Sequence, residues 1–138
     1  MPNNLIESYN TFKKAFLKLK EFVETDNATE KDRGAIINAY QYTFELLWKT
    51  LQRYMQQLEM LDEQGPGSVI RTAFQYKIID NGSTYMSMLK DRNLVTHTYK
   101  EDVAEDIHRR IKEEYVEELE KFIEQFDNKI SKKMKEEN

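Results

Sequence analysis

Residues 101–130 read EDVAEDIHRRIKEEYVEELEKFIEQFDNKI, and this stretch decides the fold class. Val103, Ile107, Ile111, Tyr115, Leu119, Phe122, Phe126 and Ile130 recur at steps of three and four. That spacing draws one apolar stripe along a helix of roughly seven turns. No glycine or proline interrupts it.

The chain before it offers further helices to cover that stripe. Leu5, Tyr9, Phe12, Phe16, Leu19 and Val23 keep the same period, with Asn3 or Asn4 expected as the N-cap. The polar segment 25–32 reads as a loop. Within it, Thr29 followed by Asp32 resembles a capping box with Asp in place of Glu, so a second helix is expected from near Glu30. Ile36, Tyr40, Phe44, Leu47, Leu51, Met55 and Leu58 extend that helix toward Gly65-Pro66-Gly67, the strongest break in the chain. A short third helix follows, with Val69, Ile70, Ala73 and Phe74 expected inward. Asp80-Asn81-Gly82 marks a turn. A fourth helix from Ser83 carries Met86, Leu89, Asn93 and His97. Thr98, with Glu101 three residues on, is a second capping box and opens the last helix. The expected fold is all-α, an antiparallel up-and-down bundle of four to five helices. It forms one domain over 1–130, and the charged segment 131–138 is expected to fray.

Composition agrees. The 138 residues suit a single domain, with 33% charged, 39% hydrophobic and 12% aromatic residues, a balance foreign to disordered chains. Four glycines and two prolines leave little room for the repeated turns of a sheet protein. The absence of cysteine excludes a disulfide framework, a thiolate zinc site and a cysteine nucleophile. Met1-Pro2-Asn3-Asn4 lacks a basic start leading into an apolar core, so no secretory signal is expected. No apolar run approaches the roughly 20 residues that span a bilayer. A cytoplasmic location without membrane attachment is therefore expected. A formal net charge of −4 gives no global pull toward nucleic acid, so such binding needs a local basic patch. Lys13, Lys14, Lys18 and Lys20 on the first helix could supply one, although a solvated face is the commoner explanation for them. Glu113, Glu114, Glu117, Glu118 and Glu120 read as a solvated acidic face, and no metal is expected. Trp48, with Phe44 and Leu51, reads as core. His108, one residue past Ile107, is expected to be exposed.

Chemistry concentrates in Asp91-Arg92-Asn93-Leu94-Val95-Thr96-His97-Thr98-Tyr99. His97 is one of two histidines in the chain. A permanently charged guanidinium beside a group that exchanges protons near neutral pH suits phosphate chemistry. Asn93 and His97, four apart on a helix, share a face, so the amide can orient the imidazole. Arg92 and His97, five apart, lie about 140° around an ideal helix and cannot easily grip one small group together. Either the helix ends near Thr96 and swings His97 round, or a second copy of the chain completes the site, with this segment on a two-fold axis. A plain structural reading stands beside these. In it, Arg92 pairs with Asp91 or with the acidic last helix, and His97 sits against the negative end of its helix.

The run from Arg92 to Tyr99 resembles the R-N-x3-H-x-Y signature of HEPN domains, in particular the nucleotidyltransferase substrate-binding branch. Tyr42-Thr43-Phe44-Glu45-Leu46-Leu47-Trp48-Lys49-Thr50-Leu51 resembles that branch's second-helix pattern. Val69-Ile70-Arg71-Thr72-Ala73-Phe74, followed by Ile78-Ile79-Asp80, is similar to its short third helix. Three positions depart from the pattern: Gln41, Tyr85 and Lys100. The resemblance implies a bundle that forms a homodimer and works with a separate minimal nucleotidyltransferase, often as a toxin–antitoxin pair. It implies no cofactor. It assigns nucleotide or RNA contact to Arg92, Asn93, His97 and Tyr99, and makes Tyr99 a candidate for AMP addition by the partner.

Three functions fit these residues. In a substrate- or nucleotide-binding subunit, Arg92 clasps a phosphate and His97 only hydrogen-bonds. In a metal-independent endoribonuclease, His97 moves the proton of the 2′-hydroxyl, Arg92 stabilises the transition-state charge and Asn93 orients the ring. In a dimeric scaffold, neither residue matters beyond packing.

Overall fold

The computed structural model describes residues 2–60, 65–97 and 100–137, and the side chains of these except at 2–4, 97 and 133–137. Helix α1 spans Pro2–Glu24, α2 Glu30–Gln57, α3 Pro66–Gln75, α4 Gly82–His97, α5 Glu101–Arg110 and α6 Val116–Glu137. A π-helical turn, Ile111–Tyr115, joins α5 to α6 in one rod. Five helical rods and no strand are thus present among the described residues, the all-α bundle expected.

The first two helices form the most extensive pair, and the last rod closes over both. The predicted apolar stripes meet inside: Leu5, Phe12, Tyr40, Phe44, Ile107, Tyr115 and Phe126 are all fully buried. Aromatic rings knit α1, α2 and α6. Phe126 lies 5.0 Å from both Tyr9 and Tyr54, each edge-on, and stacks on Phe122 at 4.9 Å. Such edge-on and offset pairs are worth about 0.5–1.5 kcal/mol each beyond their burial.

The π turn has a cause in the sequence. Val103, Ile107, Ile111, Tyr115 and Leu119 are separated by four consecutive steps of four. Each such step overshoots a full α-helical turn by about 40°, so a straight helix would carry Leu119 about 160° away from Val103. One wider turn absorbs an extra residue and returns Ile107, Ile111, Tyr115 and Leu119 to the core, all at most 1% exposed. The expected regular helix is corrected to this interrupted one. Among the described side chains its last buried apolar residue is Ile130, and the helix runs on to Glu137.

Helix ends follow local chemistry. Thr29 caps α2, its hydroxyl accepting from the Asp32 N–H at 3.0 Å, as expected. The Asp32 carboxylate instead accepts from the Asn27 N–H at 3.0 Å, so the capping box is only half made. Helix α1 starts at Pro2, whose ring suits a first turn; Asn3 and Asn4 lie inside it rather than capping it.

Helix α2 stops well before Gly65. Glu59 adopts φ 58°, and the N–H groups of Glu59 and Met60 bond the carbonyls of Gln56 at 3.1 Å and Met55 at 3.0 Å, the Schellman arrangement. Leu58, expected inward, leaves the helix there and is 38% exposed. Helix α3 ends the same way at Lys77, φ 60°, where the Ile78 N–H bonds the Ala73 carbonyl at 2.8 Å and buries Ile78. Phe74, also expected inward, is half exposed. Its ring covers the start of α4 so closely that a Cβ on Gly82 would lie 2.7 Å from it.

Helix α4 is rotated from its expected face. Tyr85, Met88, Leu89 and Asp91 point inward, while Met86 is half-buried and Asn93 exposed. The last rod opens at Glu101 with Lys100 as N-cap and no side-chain cap bond; Thr98 lies outside the described residues.

Candidate functional site on α2 and α4

Asp91 explains the rotation of α4. Its side chain is 3% exposed, and both oxygens accept from Arg110 of α5, Nε to Oδ2 and Nη2 to Oδ1, at 2.8 Å each. The Tyr115 hydroxyl donates to Oδ2 and lies 2.7 Å from the Ser87 hydroxyl. A buried carboxylate with a two-pronged guanidinium and a phenol is fully satisfied, so it holds this face of α4 inward. The bond to Asp91 holds the Arg110 pKa above its ordinary value. Burial, then the bond to Asp91, pushes the Tyr115 phenol up.

With Asp91 turned in, its neighbour Arg92 turns toward α2. The Arg92 Nη2 meets the Glu45 carboxylate, and Nη1 donates to the Asn93 Oδ1 at 3.0 Å. The other Glu45 oxygen accepts from the Trp48 indole N–H at 3.0 Å. One turn further along α4, the Thr96 hydroxyl donates to the Arg92 carbonyl at 2.9 Å and lies 3.4 Å from Gln41 Nε2. Arg92 and Glu45 are 27% and 29% exposed. The result is a guanidinium fixed at one edge and open to solvent.

The plain reading gave Arg92 the wrong acid. Asp91 faces the other way and binds Arg110, and the last rod does not supply Arg92's partner; Glu45 does. Asn93 lends its amide oxygen to Arg92. Its expected contact with His97 involves a side chain outside those described, and Tyr99 lies outside the described residues altogether. The backbone of α4 stays α-helical to His97, its last residue and the one that follows Thr96. Trp48 is core, as expected.

His108 is not an ordinary exposed side chain. Its ring is 12% exposed and its Nε2 lies 2.7 Å from Asp26 in the α1–α2 loop. Asp26, fully covered, also pairs with Lys112 at 2.8 Å and accepts from the Ala28 N–H at 2.9 Å. Burial alone would raise its pKa. Lys112, the Ala28 N–H and His108 outweigh that and hold it below the usual carboxylate range. The wider π turn places Lys112 one turn beyond His108, over the same loop.

Sequence reasoning assigned no part in the site to Glu45, Arg110 or Tyr115, the last read only as one residue of the apolar stripe. Glu45 carried a signal: it is the lone acid within Tyr42-Thr43-Phe44-Glu45-Leu46-Leu47-Trp48, an otherwise uncharged run. Arg110 and Tyr115 gave none, because only the fold brings them to Asp91. Among the described residues, no group of three or more His, Asp or Glu side chains is placed to hold a metal ion, and no helix is long and apolar enough to cross a membrane.

Comparison with known proteins identifies the family and the fold. The family model for nucleotidyltransferase substrate binding protein like chains matches residues 7–128. A crystal structure of the Thermus thermophilus protein ttk003001694 is 31% identical, covering 86% of this chain and 98% of that one, with a TM-score of 0.72. A tri-AMPylated Shewanella oneidensis HEPN toxin, solved in complex with its MNT antitoxin, is 17% identical, with coverage of 90% and 96% and a TM-score of 0.75. A toxin–antitoxin structure with AMP-PNP is 17% identical over 90% and 97%, with a TM-score of 0.74. No curated protein matches. By its family match and its HEPN-type helical fold, the chain belongs to the nucleotidyltransferase substrate binding protein like family.

Proposed function

We propose that this chain is the substrate- or nucleotide-binding subunit of a two-protein system whose other member is a separate minimal nucleotidyltransferase. The observation that carries this reading is the Arg92 guanidinium, anchored by Glu45 and Asn93 with 27% of its side chain exposed. A fixed, partly exposed guanidinium fits the oxygens of a phosphate. The family's description supports the transferase partner, as do similar folds solved with an MNT antitoxin and with AMP-PNP.

The site works as a dimer. Arg92 and His97 lie about 140° apart on a helix that is unbroken between them, so one chain cannot close both on one phosphate. A two-fold axis that crosses α4 at right angles between these positions sets Arg92 of one protomer against His97 of its partner. A surface groove of about 380 Å³ along α4, lined by Met86, Leu89, Lys90, Asn93 and Leu94, supplies apolar area for that seam.

The intact spacing of Arg92, Asn93 and His97 favours one second reading, a metal-independent endoribonuclease. There His97 takes the 2′-hydroxyl proton as that oxygen attacks the phosphorus, and Arg92 stabilises the extra charge while the 5′-oxygen leaves. Modification of Tyr99 by AMP would then add bulk and charge beside the cleft and exclude RNA.

One assay separates the two. Single-stranded RNA incubated with the purified, unmodified protein in EDTA stays intact if the chain only binds. Cleavage that disappears in His97→Ala replaces the binding reading with the nuclease. Mass spectrometry of Tyr99 before the assay, and of wild type against Tyr99→Phe after incubation with the transferase and ATP, tests the modification.

A further inference from the structure

The four lysines of α1 are not equivalent. Lys13 reaches Asp127 at 3.5 Å and Lys20 pairs with Glu120. Lys14 and Lys18, one turn apart, have no ion-pair partner among the described residues, and both are exposed. They stand instead on one rim of a groove of about 590 Å³ between α1 and α2. Across it, Asn38 and Tyr42 form the other rim, again one turn apart. Tyr42 is 57% exposed, an aromatic ring that the core does not use. At one end of the groove lies Phe22, with Lys18 Nζ 5.7 Å from its ring centroid. The floor is Ala15, Ala35 and Ala39, whose short side chains leave the space open.

We propose that this groove binds a phosphorylated ligand carrying a flat ring, the chemistry of a nucleotide, either free or within a single strand. Lys14 and Lys18 hold the phosphate, while Tyr42 stacks against the ring, a contact that tolerates any base. The Asn38 amide offers a donor and an acceptor to the ring edge. The cavity falls within the 300–1,000 Å³ or so of small-molecule sites. In a chain of net charge −4, two unpaired cations beside aromatic surface favour an anionic ligand over a purely apolar one. Tyr42 and Glu45, three apart, lie about 60° from each other around α2. The groove therefore occupies the face of α2 next to the Arg92 site, and its occupancy does not rest on the function proposed for Arg92.

The test is a nuclear magnetic resonance titration of the full ¹⁵N-labelled chain with AMP, with a short single-stranded oligoribonucleotide and with inorganic phosphate. AMP is expected to shift the signals of Lys14, Lys18, Asn38 and Tyr42. Read from these groove signals, the double substitution Lys14→Glu/Lys18→Glu should weaken binding at least tenfold and Tyr42→Ala severalfold, with the exposed α6 control Lys121→Glu unchanged. Saturation by AMP assigns the groove to a free nucleotide; response to the oligonucleotide alone assigns it to a nucleotide within a strand. Shifts confined to α4 overturn the proposal, as does binding unaltered by charge reversal or inorganic phosphate competing as well as AMP. A Tyr42→Ala change that splits a dimer on size exclusion and leaves nucleotide binding intact makes the groove a protein interface, which also overturns it.

Discussion

Arg92 on α4 and Glu45 on α2 form an ion pair across the seam between the two helices, and each keeps a second partner, Asn93 and Trp48 respectively. Both side chains are more than a quarter exposed, so solvent screens the attraction and the pair contributes no more than about 1 kcal/mol to stability. Its importance is directional. Glu45→Ala should move the urea unfolding free energy by less than about 1 kcal/mol while weakening phosphate or nucleotide binding at Arg92, because the guanidinium loses its fixed edge. Equal ligand affinity in Glu45→Ala and wild type, measured calorimetrically, would show that Glu45 does not position Arg92.

Asp91 behaves oppositely. Its carboxylate is covered and receives Arg110 and Tyr115. Removing one member of a buried pair costs about 3–5 kcal/mol. Asp91→Ala belongs near the lower end of that range, since Arg110 keeps 28% of its side-chain exposure and can recover water. Chemical denaturation of this variant against Asp106→Ala, an exposed acid of α5, supplies the contrast: a loss no larger for Asp91 than for Asp106 contradicts the reading.

The π turn allows a less obvious prediction. Deleting Glu114, which is exposed, shortens one of the four-residue steps to three. Ile107 to Leu119 then closes in eleven residues, within about 20° of three full α-helical turns. The deleted chain should fold as an unbroken α-helix with only a modest fall in thermal midpoint. Deleting the equally exposed Glu124 offers no such relief. It shifts Phe126 and Ile130 about 100° out of register and should abolish the cooperative transition seen by circular dichroism.

Asp26 sets a pH dependence. Its folded pKa lies below the unfolded value, so the unfolded chain holds its proton more readily in acid. The stability it contributes is complete above its unfolded pKa, near about 4, and is lost as pH falls through the lower folded value. Between pH 4 and 2, Asp26→Asn should therefore lose stability less steeply than wild type. Parallel slopes in urea titrations across that window would contradict this.

How much of this was legible beforehand varies by residue. The bundle and its inward stripes followed from spacing alone, because the apolar period is a property of each helix by itself. Thr29 was readable for the same reason, since its cap bond spans three residues. The early ends of α2 and α3 were not readable: Glu59 and Lys77 occupy left-handed positions normally given to glycine, so composition pointed past them to Gly65 and Asp80. The π turn was written in four successive steps of four, and counting angles rather than apolar residues would have found it. At the candidate site, Arg92 and Asn93 lie on the fourth helix as read from the sequence, but the orientation of that helix was not legible. That orientation depends on Asp91 finding Arg110, nineteen positions away, and on Arg92 finding Glu45, forty-seven away. His108 was misjudged likewise, its partner Asp26 being eighty-two positions distant.

The chain contains a single tryptophan, and its indole N–H rests on the very carboxylate that steadies Arg92. Excitation of that one chromophore therefore watches the seam without any attached dye. A ligand that draws Arg92 away leaves Glu45 free to re-settle on the indole, and the emission should change in step with occupancy. The protein carries its own optical gauge for the binding proposed at Arg92.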